Sequence, residues 1–202
     1  MSLKFTVAVE TLRLAQPFRI SGHVFETAEV VYVTLDDGRH RGRGEAAGVY
    51  YMQDDLAHMT KALREARTEI EAGPTRQALR QILPPGGARA AVDAALWELE
   101  ALRAGTTAWR LAGLTTVRPV RTTLTVSADT VEAMTARAVS YADAKAIKVK
   151  LTGELDLDLA RVRSIRAARP DVWLGVDANQ GYSLGNLPAL VCGLREIGRA
   201  HV

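Results

Sequence analysis

Cysteine, aromatics and long apolar runs are all scarce in this 202-residue chain, and each scarcity removes a class of protein. A single cysteine, Cys192, rules out an intrachain disulfide and permits a reducing compartment. It sits in the apolar run ALVCGL and reads as a small buried hydrophobe. No stretch approaches the ~20 apolar residues of a membrane-spanning helix, so the chain reads as soluble, with the cytoplasm its expected location and no membrane partner. The opening MSLKFTVAVE alternates polar and apolar residues instead of giving a basic patch and an apolar block, which is not the pattern of a secretory leader. Charge of one sign is also lacking: 26 Lys and Arg face 23 Asp and Glu, a net +3 spread along the chain. Without concentrated cations or a recognisable module, no nucleic-acid partner is expected.

What is present is a change of period. LKFTVAVETLRL, FETAEVVYVTL and GRGEAAGVY alternate as three strands, and Asp37-Gly38 in LDDGRH marks a hairpin between the last two. The connection AQPFRISGHV between the first two reads as a longer loop. Gly42 and Gly44 lack the setting of a phosphate loop and read as a tight turn or close packing. In DDLAHMTKALREARTEIEAG, residues Leu56, Met59, Leu63, Ala66 and Ile70 follow helical spacing. Two more helices fit TRQALRQIL and ARAAVDAALWELEALRAG, the second alanine-rich enough for close backbone packing. This is an α+β unit ending near Leu114.

From Val120 the order becomes strand, helix, strand, helix. The strands are TTLTVS, AIKVKL and VWLGVD; the helices are Thr130 to Tyr141, LARVRSIRAAR, and NLPALVCGLREI with Asn186 as its cap. Repeated units of this kind build a parallel sheet with helices outside. His58 has no partner ligand at metal-binding spacing, and Trp97 and Trp173 read as packing residues.

The chemistry is concentrated in two of those strands. Alternation puts Lys148 and Lys150 on one face of AIKVKL and Ile147, Val149 and Leu151 on the other. In VWLGVD it groups Trp173, Gly175 and Asp177. Helices require the apolar faces, so Lys150 and Asp177 fall together at the carboxyl ends of their strands, where α/β folds place reactive groups. A carboxylate there is a hard ligand suited to Mg²⁺, and two or three are expected to converge. A lysine base needs its pKa lowered by ~2 to 3 from about 10.4, which a second ammonium, a metal ion and partial desolvation would supply. The matching substrate is a carbon acid alpha to a carboxylate, whose dianionic enediolate a metal stabilises.

KVK in one strand and DANQGY after the next resemble the enolase superfamily, in its mandelate racemase and muconate lactonizing branch, and within that branch the dipeptide epimerases of the L-Ala-D/L-Glu type. GRGEAAG and ARAAVDAALWELEALRAG are similar to that family's capping domain, and PVRTTLTVS to its first barrel strand. The resemblance implies an α+β N-terminal capping domain, an antiparallel three-stranded meander plus helices over residues 1–118. An incomplete TIM-type (β/α) barrel of three βα units follows over 119–202. It implies an epimerase that abstracts an alpha proton with Mg²⁺, using Lys150 as base, Lys148 as helper and Asp177 as metal ligand. Arg19 and His23, in the loop from Phe18 to Val24, and Tyr50 and Tyr51 are implied specificity residues. The implied partner is a small-molecule dipeptide carboxylate, with a homo-oligomer left open.

Such enzymes carry five further βα units, with two more metal ligands and an opposite-face lysine, and this sequence ends before them. REIGRAHV also lacks the alternation of a fourth strand. The resemblance therefore implies a truncated or frameshifted reading frame whose product has no appreciable epimerase turnover and binds Mg²⁺ poorly. Open alternatives are an o-succinylbenzoate synthase, a muconate cycloisomerase, an N-acylamino-acid racemase, or a noncatalytic fragment serving as a binding scaffold.

Overall fold

The computed structural model describes residues 2–49, 52–197 and 200–201. It resolves into two compact units, Met1–Arg13 with Thr27–Arg118, and Leu14–Glu26 with Pro119–Val202.

The first unit holds most of a three-stranded sheet of order β1 (Lys4–Ile20), β2 (His23–Asp36) and β3 (Arg41–Ala46). β2 and β3 are antiparallel, with Asp36 opposite Arg41, and the intervening loop is fastened by Asp37 Oδ1, which accepts from the backbone N–H groups of Arg39 and His40. Five helices follow: α1 (Leu56–Glu65), α2 (Arg67–Glu71), α3 (Arg76–Ile82), α4 (Gly87–Arg103) and α5 (Ala108–Leu111). The single helix expected from Leu56 to Ile70 is thus two, broken at Ala66. α1 is capped by Asp55, whose carboxylate accepts from His58 N–H, and α3 by Thr75.

α4 lies directly on β3. A Cβ at Gly42 would stand 2.0 Å from the Ala95 carbonyl oxygen, and one at Gly44 1.8 Å from that of Ala91. The glycines of GRGE and the alanines of α4 are therefore two halves of one contact, backbone against backbone. Val31, Val33 and Leu35 of β2, with Met59, Leu63, Ile70, Leu79, Val92 and Leu99, complete a core that excludes water. At about 1.5–3 kcal/mol for each large apolar side chain, this core outweighs any surface ion pair in holding the unit together.

The second unit contains a parallel sheet of order β4 (Leu124–Val126), β5 (Ala146–Lys150), β6 (Trp173–Asp177) and β7 (Ala200–His201). Its helices are α6 (Val131–Ser140), α7 (Leu155–Ala168) and α8 (Leu187–Ile197). Ile147, Val149 and Leu151 are fully buried with Leu174, and Val176 is buried beside them, against Met134 and Ala138 of α6, Val162 and Ile165 of α7, and Leu190 and Leu194 of α8. A one-residue slip of β5 would exchange those three apolar side chains for the two lysines, so the greasy face fixes the register.

Several expectations are corrected. A two-residue fourth strand exists, pairing Ala200 and His201 with Leu174 and Gly175, because backbone pairing to the edge of β6 needs no side-chain alternation. AQPFRISGHV is not a loop but the end of a hairpin, turning tightly at Ser21-Gly22, where Gly22 takes φ 73°. Pro17 is tolerated because β1 is an edge strand. Cys192 is exposed on α8, and Trp173 is 42% exposed, its ring folded over Gly175. Asn186 Oδ1 turns back to accept from Ser183 N–H, so its side chain stabilises the preceding turn. Among the described residues no helix is long and apolar enough to cross a membrane.

Candidate active site

The parallel ladder sets Lys150 opposite Asp177 and Lys148 opposite Gly175. Gly175 has no side chain, and the Trp173 ring folds over it where a Cβ would stand. Lys150 Nζ donates to Asp177 Oδ2 over 2.8 Å, and Lys148 Nζ lies 3.3 Å from the same oxygen. Lys150 also donates to Asn179 Oδ1 over 2.8 Å. The lysines differ in setting: the Lys150 side chain is 7% exposed and that of Lys148 39%. Lys150 is the one withdrawn from water.

The loop DANQGY makes this arrangement rigid. Asp177 Oδ1 accepts from Asn179 N–H over 3.1 Å, closing an Asx turn, and Leu151 N–H donates to the Asp177 carbonyl over 3.0 Å. Asn179 and Gln180 both take left-handed backbone, φ 44° and 65°. For glutamine that conformation costs about 1 kcal/mol, strain of the kind that collects at functional sites. Burial pushes the Asp177 carboxyl up, but the Lys150 hydrogen bond, the Asn179 N–H, the Lys150 charge and the Lys148 hydrogen bond hold it below the usual carboxylate range.

From the hairpin end, Phe18 and Ser21 reach these strand ends. The Phe18 ring centroid lies 5.7 Å from Lys150 Nζ, at the outer range of a cation–π contact. Ser21 Oγ lies 3.5 Å from the Thr152 carbonyl. Arg19 pairs with Asp129 at 3.5 Å and accepts Ala128 N–H at its carbonyl, while His23 stacks on Phe25. Tyr50 and Tyr51 lie outside the described residues. A cavity of about 1450 Å³ in the first unit is lined by Arg76, Arg80, Arg89 and Trp97 among others, and of the predicted site residues that are described none lines it.

Among the described residues no group of three His, Cys, Asp or Glu side chains could hold a metal ion. Asp177 supplies one hard oxygen, a fitting single ligand for Mg²⁺ and short of a full coordination sphere.

Sequence reading passed over Asp158, Arg161 and Tyr182. Asp158 is fully buried, and Tyr182 donates its hydroxyl to it over 2.9 Å. The expected helix began at Leu159, whereas α7 begins at Leu155. Once the helix includes it, Asp158 shares the apolar stripe of Leu155, Leu159 and Val162, and an acid on that stripe is the signal that was available.

Residues 3–113 match the model of the mandelate racemase/muconate lactonizing enzyme N-terminal domain, and residues 130–198 that of the enolase C-terminal domain-like family. The chain belongs to the enolase superfamily. This superfamily chain is 35% identical over 193 residues to the L-Ala-D/L-Glu epimerase of Escherichia coli K12, covering 95% of itself and 60% of that protein. Its fold matches an enolase family member from Agrobacterium tumefaciens with homology to dipeptide epimerases, solved with sodium and L-Ala-L-Glu. The TM-score is 0.87 at 31% identity, covering 96% of this chain and 59% of that one. It also matches the dipeptide epimerase of Methylococcus capsulatus, solved with Mg and L-Arg-D-Lys, with a TM-score of 0.81 at 26% identity over 98% of this chain and 60% of that one. The chain thus spans about three fifths of the length of these relatives.

Proposed function

We propose that this chain carries one proton-transferring face of a dipeptide epimerase. Lys150 is the base that removes and returns the alpha proton, Lys148 is the neighbouring cation, and Asp177 is a ligand of Mg²⁺. Residues 1–118 serve as the capping part and 119–202 as the barrel part, and the hairpin end from Phe18 to Val24 contributes to substrate choice.

The observation that carries this reading is the convergence of two lysines on one carboxylate at paired strand ends, 2.8 and 3.3 Å from the same oxygen. Lys150 is nearly sealed from solvent beside a second cation, and the carboxylate it pairs with is the group that a bound Mg²⁺ would engage. Bound Mg²⁺ would supply positive charge at the substrate carboxylate as the proton leaves. Asn179 and the Leu151 ladder bond keep the Asp177 carboxylate oriented, so the lysines meet it without reorganisation.

A single base serves one side of the alpha carbon. Lys150 is therefore expected to exchange the alpha proton with solvent on that side of the carbon. Incubation in D₂O with Mg²⁺ tests the substrate class by proton NMR. L-Ala-L-Glu is expected to lose its glutamate alpha signal faster than N-acetyl-glutamate. Faster exchange of the N-acyl compound would favour an acylamino-acid substrate and overturn the dipeptide assignment.

A further inference from the structure

Asp158 takes no part in the proposed proton transfer, yet it is the most heavily hydrogen-bonded carboxylate in the second unit. It accepts from Thr152 N–H at 3.1 Å to each oxygen, from Gly153 N–H at 2.9 Å, from Thr152 Oγ1 at 3.3 Å, from Arg161 Nη1 at 2.8 Å and from the Tyr182 hydroxyl at 2.9 Å. Apart from Arg161, which lies on α7 with Asp158 itself, these donors belong to two different loops. Thr152 and Gly153 follow β5 directly after Lys150 and Leu151; Tyr182 follows β6, five residues after Asp177.

Arg161 brings in a third loop. Its Nη1 bridges Asp158 and Thr152 Oγ1 at 2.8 Å each, and its Nε donates to the Asp129 carbonyl, beyond β4, over 2.8 Å. The two loops beside Lys150 and Asp177 also meet directly. Gly153 has φ 94°, and a Cβ there would stand 2.4 Å from the Gly181 carbonyl oxygen, leaving only glycine room.

Stability alone does not account for this arrangement. Removing Asp158 and Arg161 from water carries a penalty that a packed apolar pair would avoid. What the ion pair adds is direction, since each bond fixes a named backbone group at the carboxyl end of a strand.

We propose that Asp158 is a positioning residue, a buried tie that locks the loops after β4, β5 and β6 together and so sets the spacing of Lys150 from Asp177. This rests on the acid–base reading of those two residues for its functional meaning, but its structural content is tested separately. The bonds from Thr152 and Gly153 go to a charged acceptor, so their amide protons are a spectroscopic signature of the tie.

The experiment is residue-resolved amide hydrogen exchange by NMR on the whole chain and on Asp158→Asn, which keeps shape and removes charge. Exchange at Thr152 and Gly153 is expected to accelerate at least about tenfold, and at Leu151 and Gly181 at least about threefold, with Leu174 unchanged within about twofold. The indirect sites are decisive, because Leu151 donates to the Asp177 carbonyl and Gly181 to that of Ala178, not to Asp158. Unchanged exchange at Leu151 and Gly181, or uniform acceleration through the unit, would overturn the proposal. If Asp158→Asn does not fold, Tyr182→Phe removes one donor only. Faster exchange at Gly153, whose own bond survives, supports the tie, and no change there overturns it. Loss of these couplings with alpha-proton exchange intact would sink the tie alone; absent alpha-proton exchange with the couplings intact would sink the acid–base reading alone.

Discussion

Lys150 and Asp177 occupy one rung of the parallel ladder between β5 and β6, and their side chains close the rung with a 2.8 Å ion pair. The two partners are not equally exposed: 7% of the Lys150 side chain and 30% of the Asp177 side chain reach solvent.

That inequality predicts unequal losses on substitution. Asp177→Asn leaves a nearly buried ammonium without its anion, and unfolding by urea is expected to show a loss of about 1–3 kcal/mol. Lys150→Met keeps the aliphatic stem and leaves a carboxylate that water and Lys148 still reach, so its loss is expected to be smaller. A larger loss for Lys150→Met would show that the pair is not the stabilising element.

Backbone contact between β3 and α4 makes a second prediction. Gly44→Ala would drive a Cβ to 1.8 Å from the Ala91 carbonyl, where neither strand nor helix has a side chain to yield. A loss of about 3 kcal/mol or more is expected in thermal or denaturant unfolding, from overpacking alone. A loss below about 1 kcal/mol would mean that the helix does not sit on the strand as described.

Low pH should reveal the pair of Arg169 and Asp171. Arg169 donates to the carbonyls of Ala138, Tyr141 and Ala144, and its two hydrogen bonds to Asp171 hold that carboxyl down from 3.8 to about 2. The folded value lies below the unfolded one, so the contribution is present above pH 3.8 and is lost as pH falls through about 2. Unfolding measured across pH 5 to 2 is expected to show the stability difference between the chain and Asp171→Asn shrinking in that window. A constant difference would refute the coupling.

Metal binding should be weak. Asp177 is one carboxylate whose Oδ2 already meets two ammonium groups, and among the described residues no cluster of three ligating side chains exists. Calorimetric titration is expected to show no saturable Mg²⁺ binding below about 1 mM. Stoichiometric micromolar binding would refute a site built on Asp177 alone.

The lysine–aspartate group was legible in sequence because strands have a period of two, and burial of Ile147, Val149 and Leu151 forces the lysines to the opposite face. The glycine–alanine contact of β3 and α4 was legible for a related reason, since small residues in both segments signal close approach. The hairpin end was not, because Pro17, Ser21 and Gly22 resemble loop residues, although an edge strand tolerates proline and a tight turn requires glycine. Asp158 was hidden by a helix start placed four residues late, which left the acid outside the apolar stripe it belongs to. Cys192 was misplaced because α8 is apolar on more of its circumference than it buries.

The most direct measurement is the rate of alpha-proton exchange of L-Ala-L-Glu in D₂O with Mg²⁺, comparing the chain with Lys150→Met. Exchange is expected to be at least about 100-fold faster in the unsubstituted chain, the lower end for a positioned general base. Equal rates in the two proteins would contradict it.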